Sequence, residues 1–300
     1  MIYTVTLSPS IDYIVRMSSV RFNVTNRTES EEFYYGGKGI NVSQVLSQLD
    51  LPSTALGFIA GFTGDAIAAG IGDKNVRTDF IRLDNGFSRI NIKIKAGGET
   101  EINGQGPDIP AEALEALMRK LDAIRDGDVL VLAGSIPKTM PDDVYERMLD
   151  RVSHKNIMIV VDATKQLLVN SLKSHPFVIK PNRLELSEIF HAEVENEQDV
   201  EKYARKRQEM GARNVIVSLG RKGAMLVDEN GGVHKQGTLK QPVLNTVGAG
   251  DSMVAGFIAG YLKTKDYAYA LKLGSACGNA TSFLPGLATK AKIEEVFAQL

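Results

Sequence analysis

The sequence predicts an α/β protein built on a doubly wound, mostly parallel sheet, with a small antiparallel β-sheet projecting from it as a lid. Short apolar runs, rich in β-branched residues, end abruptly in polar residues or glycine and indicate the main sheet. Runs that are apolar on both faces suit parallel strands covered by helices. Helical segments lie between the runs, which favours right-handed crossovers within one sheet. The runs are DVLVLAGSIP (128–137), NIMIVVDATK (156–165), PFVIKPN (176–182) and NVIVSLGRKG (214–223).

A different pattern predicts the small sheet. Residues 11–36 and 87–105 alternate apolar and polar, as strands with one exposed face do, and Ile90, Ile92 and Ile94 fall on one face. The AGG at 96–98 is typical of a hairpin turn. We therefore expect a single domain over residues 1–300, with the lid strands supplied by these two segments.

Composition excludes several classes of partner. The 35 Lys and Arg residues are balanced by 36 Asp and Glu, for a formal net charge of -1. No global basic field therefore exists to hold nucleic acid or an anionic membrane. We expect no secretory signal and no membrane-spanning segment, and hence a cytoplasmic location. The single cysteine, Cys277, excludes an intrachain disulfide.

The ends of the predicted strands indicate where a ligand binds. In open α/β sheets, ligands bind beyond the carboxyl ends of the strands. Polar residues and glycine at these ends are therefore candidates for a binding site. They are Ser8, Asp12, Ser135, Asp162, Lys180, Asn182, Ser218 and Gly220.

The stretch VGAGDSMVAGF (247–257) places a glycine turn and an aspartate at the start of a helical pattern. Free amides and the helix dipole make such a turn an anion site. Asp251 can serve as the helix cap. Alternatively, it accepts the proton of a hydroxyl that attacks a phosphoryl group, while the glycine amides stabilise the developing charge. The residues alone leave both interpretations open.

Two further stretches carry the same kind of ambiguity. In GGKGINVSQVLSQLD (36–50) the apolar spacing predicts a helix starting near Asn41. The glycines are either a flexible turn or a bare backbone on which a phosphorylated, hydroxyl-rich substrate lies beside Lys38. In KPNRLELSEIF (180–190), Asn182 and Glu185 have the spacing of a capping box. Near a nucleotide the same pair could organise Mg²⁺ through its water shell.

The better-known nucleotide motifs do not occur. There is no GxxxxGK[ST] run, no third glycine after Gly248 and Gly250, and no protein-kinase motif set. The four histidines fall in no recurrent spacing. Asp12, Arg27 and Arg89, taken singly, are typical of turns and solvated faces.

Taken together, the motifs resemble the ribokinase-like (PfkB) carbohydrate kinases. GGKGIN, KPNRLEL and NTVGAGDSMVAGF occur in that family's order, and the resemblance covers essentially the whole chain. MIYTVTLSPSIDY, SRINIKI followed by ETEINGQGP, and VLAGSIP narrow it to bacterial sugar-phosphate kinases. The resemblance implies ATP-dependent phosphorylation of D-fructose 1-phosphate at the 6-hydroxyl, with Mg²⁺ and ATP, in a homodimer formed through the lid.

The resemblance also implies roles for individual residues. Asp251 would be the general base, and the amides of Gly248, Ala249 and Gly250 the anion hole. Arg27 matches a lid position that in relatives can reach a neighbouring subunit's site. Glu185 would face Mg²⁺ through water. The residues that would hold the sugar phosphate are Asp12, Gly37, Lys38, Asn41, Arg89, Asn103 and Ser135. Those that would flank the nucleotide are Lys180, Asn182, Ser218, Gly220, Gly223 and Asn279.

The chain departs from the family's pattern at three places. Ser8 stands where relatives usually carry Asn, and Ser88 where they more often carry Thr. DATKQLL (162–168) replaces a loop containing Ser-Gly, so no role is assigned to it.

Several alternative functions stay open. Tagatose 6-phosphate or fructose 6-phosphate could be the acceptor by the same mechanism. A neutral sugar or nucleoside would not need Lys38, Arg27 and Arg89. A non-catalytic nucleotide-binding protein would be better without a carboxylate facing the phosphates.

Overall fold

The computed structural model describes residues 1–300 and contains fourteen β-strands and ten α-helices. None of the helices is both long and apolar enough to span a membrane. The strands are β1 (Ile2–Thr6), β2 (Ser10–Arg16), β3 (Ser30–Gly36), β4 (Ser53–Ala60), β5 (Val76–Thr78), β6 (Ile81–Leu83), β7 (Arg89–Lys95), β8 (Glu99–Asn103), β9 (Val129–Ala133), β10 (Met158–Asp162), β11 (Val178–Ile179), β12 (Asn214–Ser218), β13 (Ala224–Val227) and β14 (Val233–Gln236). The helices are α1 (Lys38–Gln48), α2 (Gly61–Gly70), α3 (Ala111–Leu121), α4 (Val144–Val152), α5 (Lys165–Ser171), α6 (Arg183–Phe190), α7 (Glu197–Glu209), α8 (Ala249–Thr264), α9 (Tyr267–Ser282) and α10 (Lys290–Gln299).

Ten strands form the main sheet, in the order β14-β13-β12-β11-β10-β9-β1-β4-β5, with β6 also paired to β4. The pairings from β12 to β5 are parallel, and only the β12–β13 and β13–β14 pairings at one edge are antiparallel. The four runs predicted as parallel strands are β9 to β12, which are adjacent in the sheet. The prediction of a mostly parallel sheet is confirmed.

Helices cover both faces of this sheet. Leu130 and Leu132 of β9 belong to a cluster with buried residues of α3, α4 and α7. Their neighbours Val129 and Val131 belong to a second cluster, with residues of α1, α8, α9 and α10. Alternate residues of one strand therefore enter different cores, which explains why these runs are apolar throughout. The fold is doubly wound, as predicted.

The small sheet has four strands in the order β3-β2-β7-β8. Its two hairpins are antiparallel, and the β2–β7 pairing that joins them is parallel. The joining pair is parallel because both strands follow parallel strands of the main sheet, β1 and β6, and leave from the same edge. The predicted AGG turn is present, with Gly97 at φ 70° and the Ala96 N–H donating to Gly98 O. Arg27 lies in the exposed connection 17–29 rather than in a strand.

Helix α1 begins at Lys38, three residues earlier than the apolar spacing predicts. Gly37 is its N-cap residue, with φ 123°. A Cβ at Gly37 would come within 2.5 Å of Thr6 Cγ2, so glycine is required where the chain turns against β1. Asn41 therefore lies inside the first turn rather than at the start of the helix.

Candidate active site

The carboxyl ends of the central strands and the first turns of two helices meet at one place. Asp162 ends β10, Lys180 follows β11, and Lys38 opens α1. Asp251 lies in the first turn of α8, whose N-terminus points at the same edge. The sheet topology thus assembles residues that are more than 200 positions apart in the sequence.

Asp251 is a buried carboxylate, with 6% of its surface exposed. Its Oδ2 accepts a hydrogen bond from Asn41 Nδ2 at 2.7 Å. The N-cap of α8 is Gly248, with φ 78°, and no side chain caps the helix. The interpretation of Asp251 as a cap is therefore wrong.

The surroundings of Asp251 favour proton acceptance. Burial raises the pKa of its carboxyl to about 6, with the negative charge of Asp162 as the second cause. Lys38, the hydrogen bond from Asn41, and Lys180 act in the opposite direction. A carboxylate with this pKa is ionised at neutral pH and is a stronger base than an ordinary aspartate.

The first turn of α8 presents amides without protein acceptors. The Ala249 N–H bonds to Thr246 O, and the Ser252 N–H bonds to Gly248 O, but the N–H groups of Gly250 and Asp251 between them have no partner. A Cβ at Gly250 would lie 3.0 Å from Lys180 Nζ, so the ammonium lies directly beside these amides. Unpaired donors next to a cation at a helix N-terminus fit an anion such as a terminal phosphate.

Asp162 joins two lysines. Its Oδ2 lies 3.2 Å from Lys38 Nζ, and its Oδ1 lies 3.4 Å from Lys180 Nζ. Burial alone would raise the pKa of Asp162, but Lys180 and Lys38 outweigh it and hold the pKa below its usual value. The sequence placed Asp162 among the strand-end candidates for a binding site, but the resemblance assigned no role to the segment 162–168 that it begins.

Two adjoining cavities lie under the small sheet around Arg89. The guanidinium is partly buried, and its Nε donates to Ser8 O at 3.2 Å. One cavity of 170 Å³ and another of 250 Å³ share Ser8, Arg89 and Ser135 in their walls. The structure thus brings together five of the residues predicted to hold the sugar phosphate: Gly37 and Lys38 in the first cavity, Asn103 in the second, and Arg89 and Ser135 in both.

Asp12 and Asn41 line a third cavity of 220 Å³ between the small sheet and the main body. Asp12 Oδ1 accepts hydrogen bonds from Ser10 Oγ at 3.0 Å and Asn91 Nδ2 at 2.8 Å. Asn91 was missed by the sequence reasoning. Its spacing of two from Arg89 along β7 puts both on one face and was the available signal.

Asn182 and Glu185 form the capping box of α6. Asn182 Oδ1 accepts the Glu185 N–H at 2.8 Å, and Glu185 Oε2 accepts the Asn182 N–H at 2.7 Å. The capping interpretation is confirmed. The negative charge of Glu185 also contributes to the raised pKa of Lys38, so its carboxylate lies within electrostatic reach of the site.

The remaining residues predicted to flank a nucleotide lie around the segment 236–239. Ser218 pairs with Asn182 in an isolated bridge. A Cβ at Gly223 would lie 1.9 Å from Gln236 O, and Asn279 Oδ1 accepts the Leu239 N–H at 3.2 Å. Gly220, with φ 58°, opens the short turn between β12 and β13. Arg27 is exposed and lies in the connection between β2 and β3.

The fold and this site define a carbohydrate kinase of the ribokinase-like class. The family described as pfkB family carbohydrate kinase matches residues 5–293, and the chain belongs to it. The chain is 40% identical to 1-phosphofructokinase of Bacillus subtilis over 100% of its own length and 98% of that protein. It is 33% identical to D-tagatose-1-phosphate kinase of Bacillus licheniformis over 100% and 98% of the two chains.

Solved structures give the same classification. Phosphofructokinase-2 from Escherichia coli, in complex with substrates and products, matches with a TM-score of 0.92 at 27% identity, over 100% of this chain and 99% of that one. The same enzyme is also known in a tetrameric inhibited form. The chain is therefore a sugar-phosphate kinase, and the alternative of a non-catalytic nucleotide-binding protein falls away.

Proposed function

We propose that the protein transfers the γ-phosphoryl group of ATP to the 6-hydroxyl of D-fructose 1-phosphate, giving fructose 1,6-bisphosphate. The observation that carries this proposal is the buried Asp251, held by Asn41 at 2.7 Å beside the unpaired amides of α8. A base next to an anion cradle is the arrangement that phosphoryl transfer to an alcohol needs.

In this mechanism Asp251 accepts the proton of the attacking hydroxyl. The amides of the Gly248–Asp251 turn and Lys180 stabilise the charge on the transferred group. Lys38 and Arg89 hold the phosphate of the acceptor. The Asp12 carboxylate accepts hydrogen bonds from the sugar hydroxyls, and the Asn41 amide exchanges hydrogen bonds with them. Ser218, Gly220, Gly223 and Asn279 flank the adenosine.

Magnesium would be bound mainly by ATP itself. No group of three or more His, Cys, Asp or Glu side chains is placed to hold a metal. Mg²⁺ commonly keeps several waters and binds through one or two carboxylates plus substrate phosphates, and Glu185 beside Asn182 fits that use. When bound, the ion would neutralise phosphate charge in the transition state.

The names of the relatives support a ketose 1-phosphate as the acceptor. Both the fructose and the tagatose kinases above are named for 1-phosphates. The second candidate acceptor is therefore tagatose 1-phosphate. The 6-phosphates of tagatose and fructose, which would be phosphorylated at the 1-hydroxyl, are third.

The test is ADP release with Mg·ATP across these four sugar phosphates and free fructose. We expect the highest kcat/KM with fructose 1-phosphate. Asp251→Asn should lower kcat by about 10²–10⁴-fold with little change in KM, because it removes the base and keeps the shape. Arg89→Ala should instead raise KM for every phosphorylated acceptor, which makes it the control for binding.

A full-rate Asp251→Asn enzyme would contradict the assignment of the base. A higher kcat/KM with tagatose 1-phosphate or with a 6-phosphate would contradict fructose 1-phosphate as the substrate but would leave the proposed mechanism unchanged. Equal turnover of free fructose would show that the Arg89 cavities do not bind the acceptor phosphate.

We also propose that the protein forms a homodimer through the small sheet. The strand register places Phe33, Tyr13, Ile92 and Ile102 in one row across the four strands. Phe33 and Ile102 are 57% and 55% exposed. A second copy would cover this row and could bring its Arg27 to the neighbouring sugar site.

A further inference from the structure

The mechanism proposed above gives no role to the negative charge of Asp162. Asp162 ends β10, at the start of a segment that departs from the family's pattern, and only 3% of its surface is exposed. A carboxylate this deeply buried is costly unless it is paired, and each of its oxygens contacts a different ammonium group. Its backbone is also fixed, since Asp162 O accepts the Gly134 N–H at 3.1 Å.

The two lysines serve different ends of the site. Lys38 lines the 170 Å³ cavity together with Arg89 and Ser135. Lys180 lies beside Gly250 and the unpaired amides of α8. Lys38 is on α1 and Lys180 follows β11, so neither element fixes the position of the other's ammonium group. Asp162, at the end of β10 beside β11, is the group that both share.

We propose that Asp162 is a positioning residue that holds Lys38 at the sugar-phosphate cavity and Lys180 at the phosphoryl cradle. This inference rests on the proposed function. Long lysine side chains lose much rotamer entropy when they are ordered. A buried carboxylate that orders both before substrate arrives reduces that cost, and charge-assisted pairing fixes the spacing between the two cations.

Asp162 has a second consequence for the base. The charged and titratable groups that face Asp251 are Asp162 from β10, Lys38 from α1 and Lys180 after β11, while Glu185 of α6 acts on Lys38. The negative charge of Asp162 opposes ionisation of Asp251, and it also draws both ammonium groups toward itself. Without it, the pKa of Asp251 should fall on both counts.

The test is Asp162→Asn, which keeps the volume and removes the charge. We expect kcat/KM at pH 8 to fall by about 10–100-fold, with KM raised for both substrates, because small displacements of positioning groups are that costly. The acidic limb of kcat/KM should move to lower pH. Asp128→Asn is the matched control. Asp128 is also a mostly buried aspartate, but it lies at the amino ends of the parallel strands, whereas the site lies at their carboxyl ends. Its acidic limb should stay in place.

Asp162→Glu separates charge from geometry. It keeps the negative charge, so its acidic limb should stay near the wild-type position even where the rate falls. If Asp162→Asn does not fold, Asp162→Glu is the variant whose kinetics test the proposal. A rate loss in Asp162→Asn with no movement of the limb would overturn the proposal in favour of a purely structural role. Restoration of the rate by excess Mg²⁺ would overturn it in favour of direct metal binding.

Direct titration of Asp251 by carboxyl ¹³C NMR needs no turnover. A downward shift of its pKa in Asp162→Asn would support the inference even if no ketose phosphate were phosphorylated. An unchanged pKa in an active enzyme would remove the inference and leave the proposed function intact.

Discussion

Asp251 combines the requirements of a base with the cost of burying a charge. Its carboxyl has a usual pKa of 3.8 and a pKa of about 6 in the folded protein. A group whose folded-state pKa is raised binds its proton more tightly in the folded state. Stability is therefore highest below the unfolded pKa and falls as pH rises through the window from about 4 to 6. Above that window the ionised carboxylate destabilises the fold.

Replacing the base should consequently stabilise the protein. At pH 8, we expect Asp251→Asn to raise the free energy of unfolding by about 2–3 kcal/mol, because the neutral amide avoids the cost of burying a charge. The advantage should vanish at pH 4, where the native carboxyl is protonated. Thermal unfolding at both pH values measures this, with Asp128→Asn as the comparison. A lower Tm for Asp251→Asn at pH 8 would show that the charge is stabilised by its neighbours and would contradict the argument.

Ser88 shows how a departure from the family's pattern can be harmless. It is buried, and its Oγ accepts the Ala60 N–H at 3.0 Å. Thr63 Oγ1 donates to Ser88 O at 2.7 Å, which fixes the residue just before Arg89. Serine supplies the same hydroxyl as threonine, so the substitution leaves the start of β7 in place.

Gly250 of α8 and Gly57 of β4 differ in what an added Cβ would meet. A Cβ at Gly250 would meet only the end of the flexible Lys180 side chain, at 3.0 Å from Nζ. A Cβ at Gly57 of β4 would instead lie 2.0 Å from the backbone Thr6 O, and Gly57 has φ 153°. The first clash can be relieved by moving a side chain, whereas the second requires the backbone to move.

Gly250→Ala and Gly57→Ala should therefore fail in different ways. Gly250→Ala should retain a Tm within about 2 °C of wild type, since alanine also suits a helix. Its kcat should fall at least about 10-fold, because Lys180 is displaced from the phosphoryl cradle. Gly57→Ala should lose stability by more than about 1 kcal/mol. Steady-state kinetics and thermal unfolding of both variants decide the matter. A fully active Gly250→Ala enzyme would show that Lys180 is not needed where we place it.

At the scale of elements, the sequence predicted four adjacent strands of the ten-stranded main sheet, β9 to β12, but neither the start of α1 nor the direction of the β2–β7 pairing. The runs that became β9 to β12 were identifiable because burial on both faces leaves them apolar throughout. The start of α1 was misplaced because its boundary is set by contact of Gly37 with Thr6, which is distant in sequence. The parallel β2–β7 pairing was likewise hidden, since strand alternation reports exposure and not direction.

The same distinction applies to the candidate site. Its motif residues could be predicted from glycine spacing and polar strand ends. Asp162 and Asn91 could not be given roles, because their importance lies in contacts with Lys38, Lys180 and Asp12 that arise only on folding. Arg27 remains the opposite case: the resemblance gives it a role, and a single chain leaves it exposed.

At the scale of the whole molecule, the exposed row on the small sheet predicts the oligomeric state. Ile102 is 55% exposed on β8 and lies opposite Ile92. Ile102→Glu should convert a homodimer to a monomer, because an unpaired carboxylate would be buried in the interface. Phe62→Glu, at an exposed apolar position on α2, is the matched control and should remain dimeric. Light scattering measures the mass of each variant.

Kinetics of the same variants test whether the second copy completes the sugar site. If the neighbour's Arg27 reaches the acceptor phosphate, the Ile102→Glu monomer should show a KM for fructose 1-phosphate raised about 10-fold or more, with KM for ATP little changed. Arg27→Ala should raise the same KM while the protein remains a dimer. A monomeric Ile102→Glu enzyme with wild-type KM would show that dimerisation and substrate binding are independent. A wild-type protein that is already monomeric would instead remove the small sheet as an interface between copies.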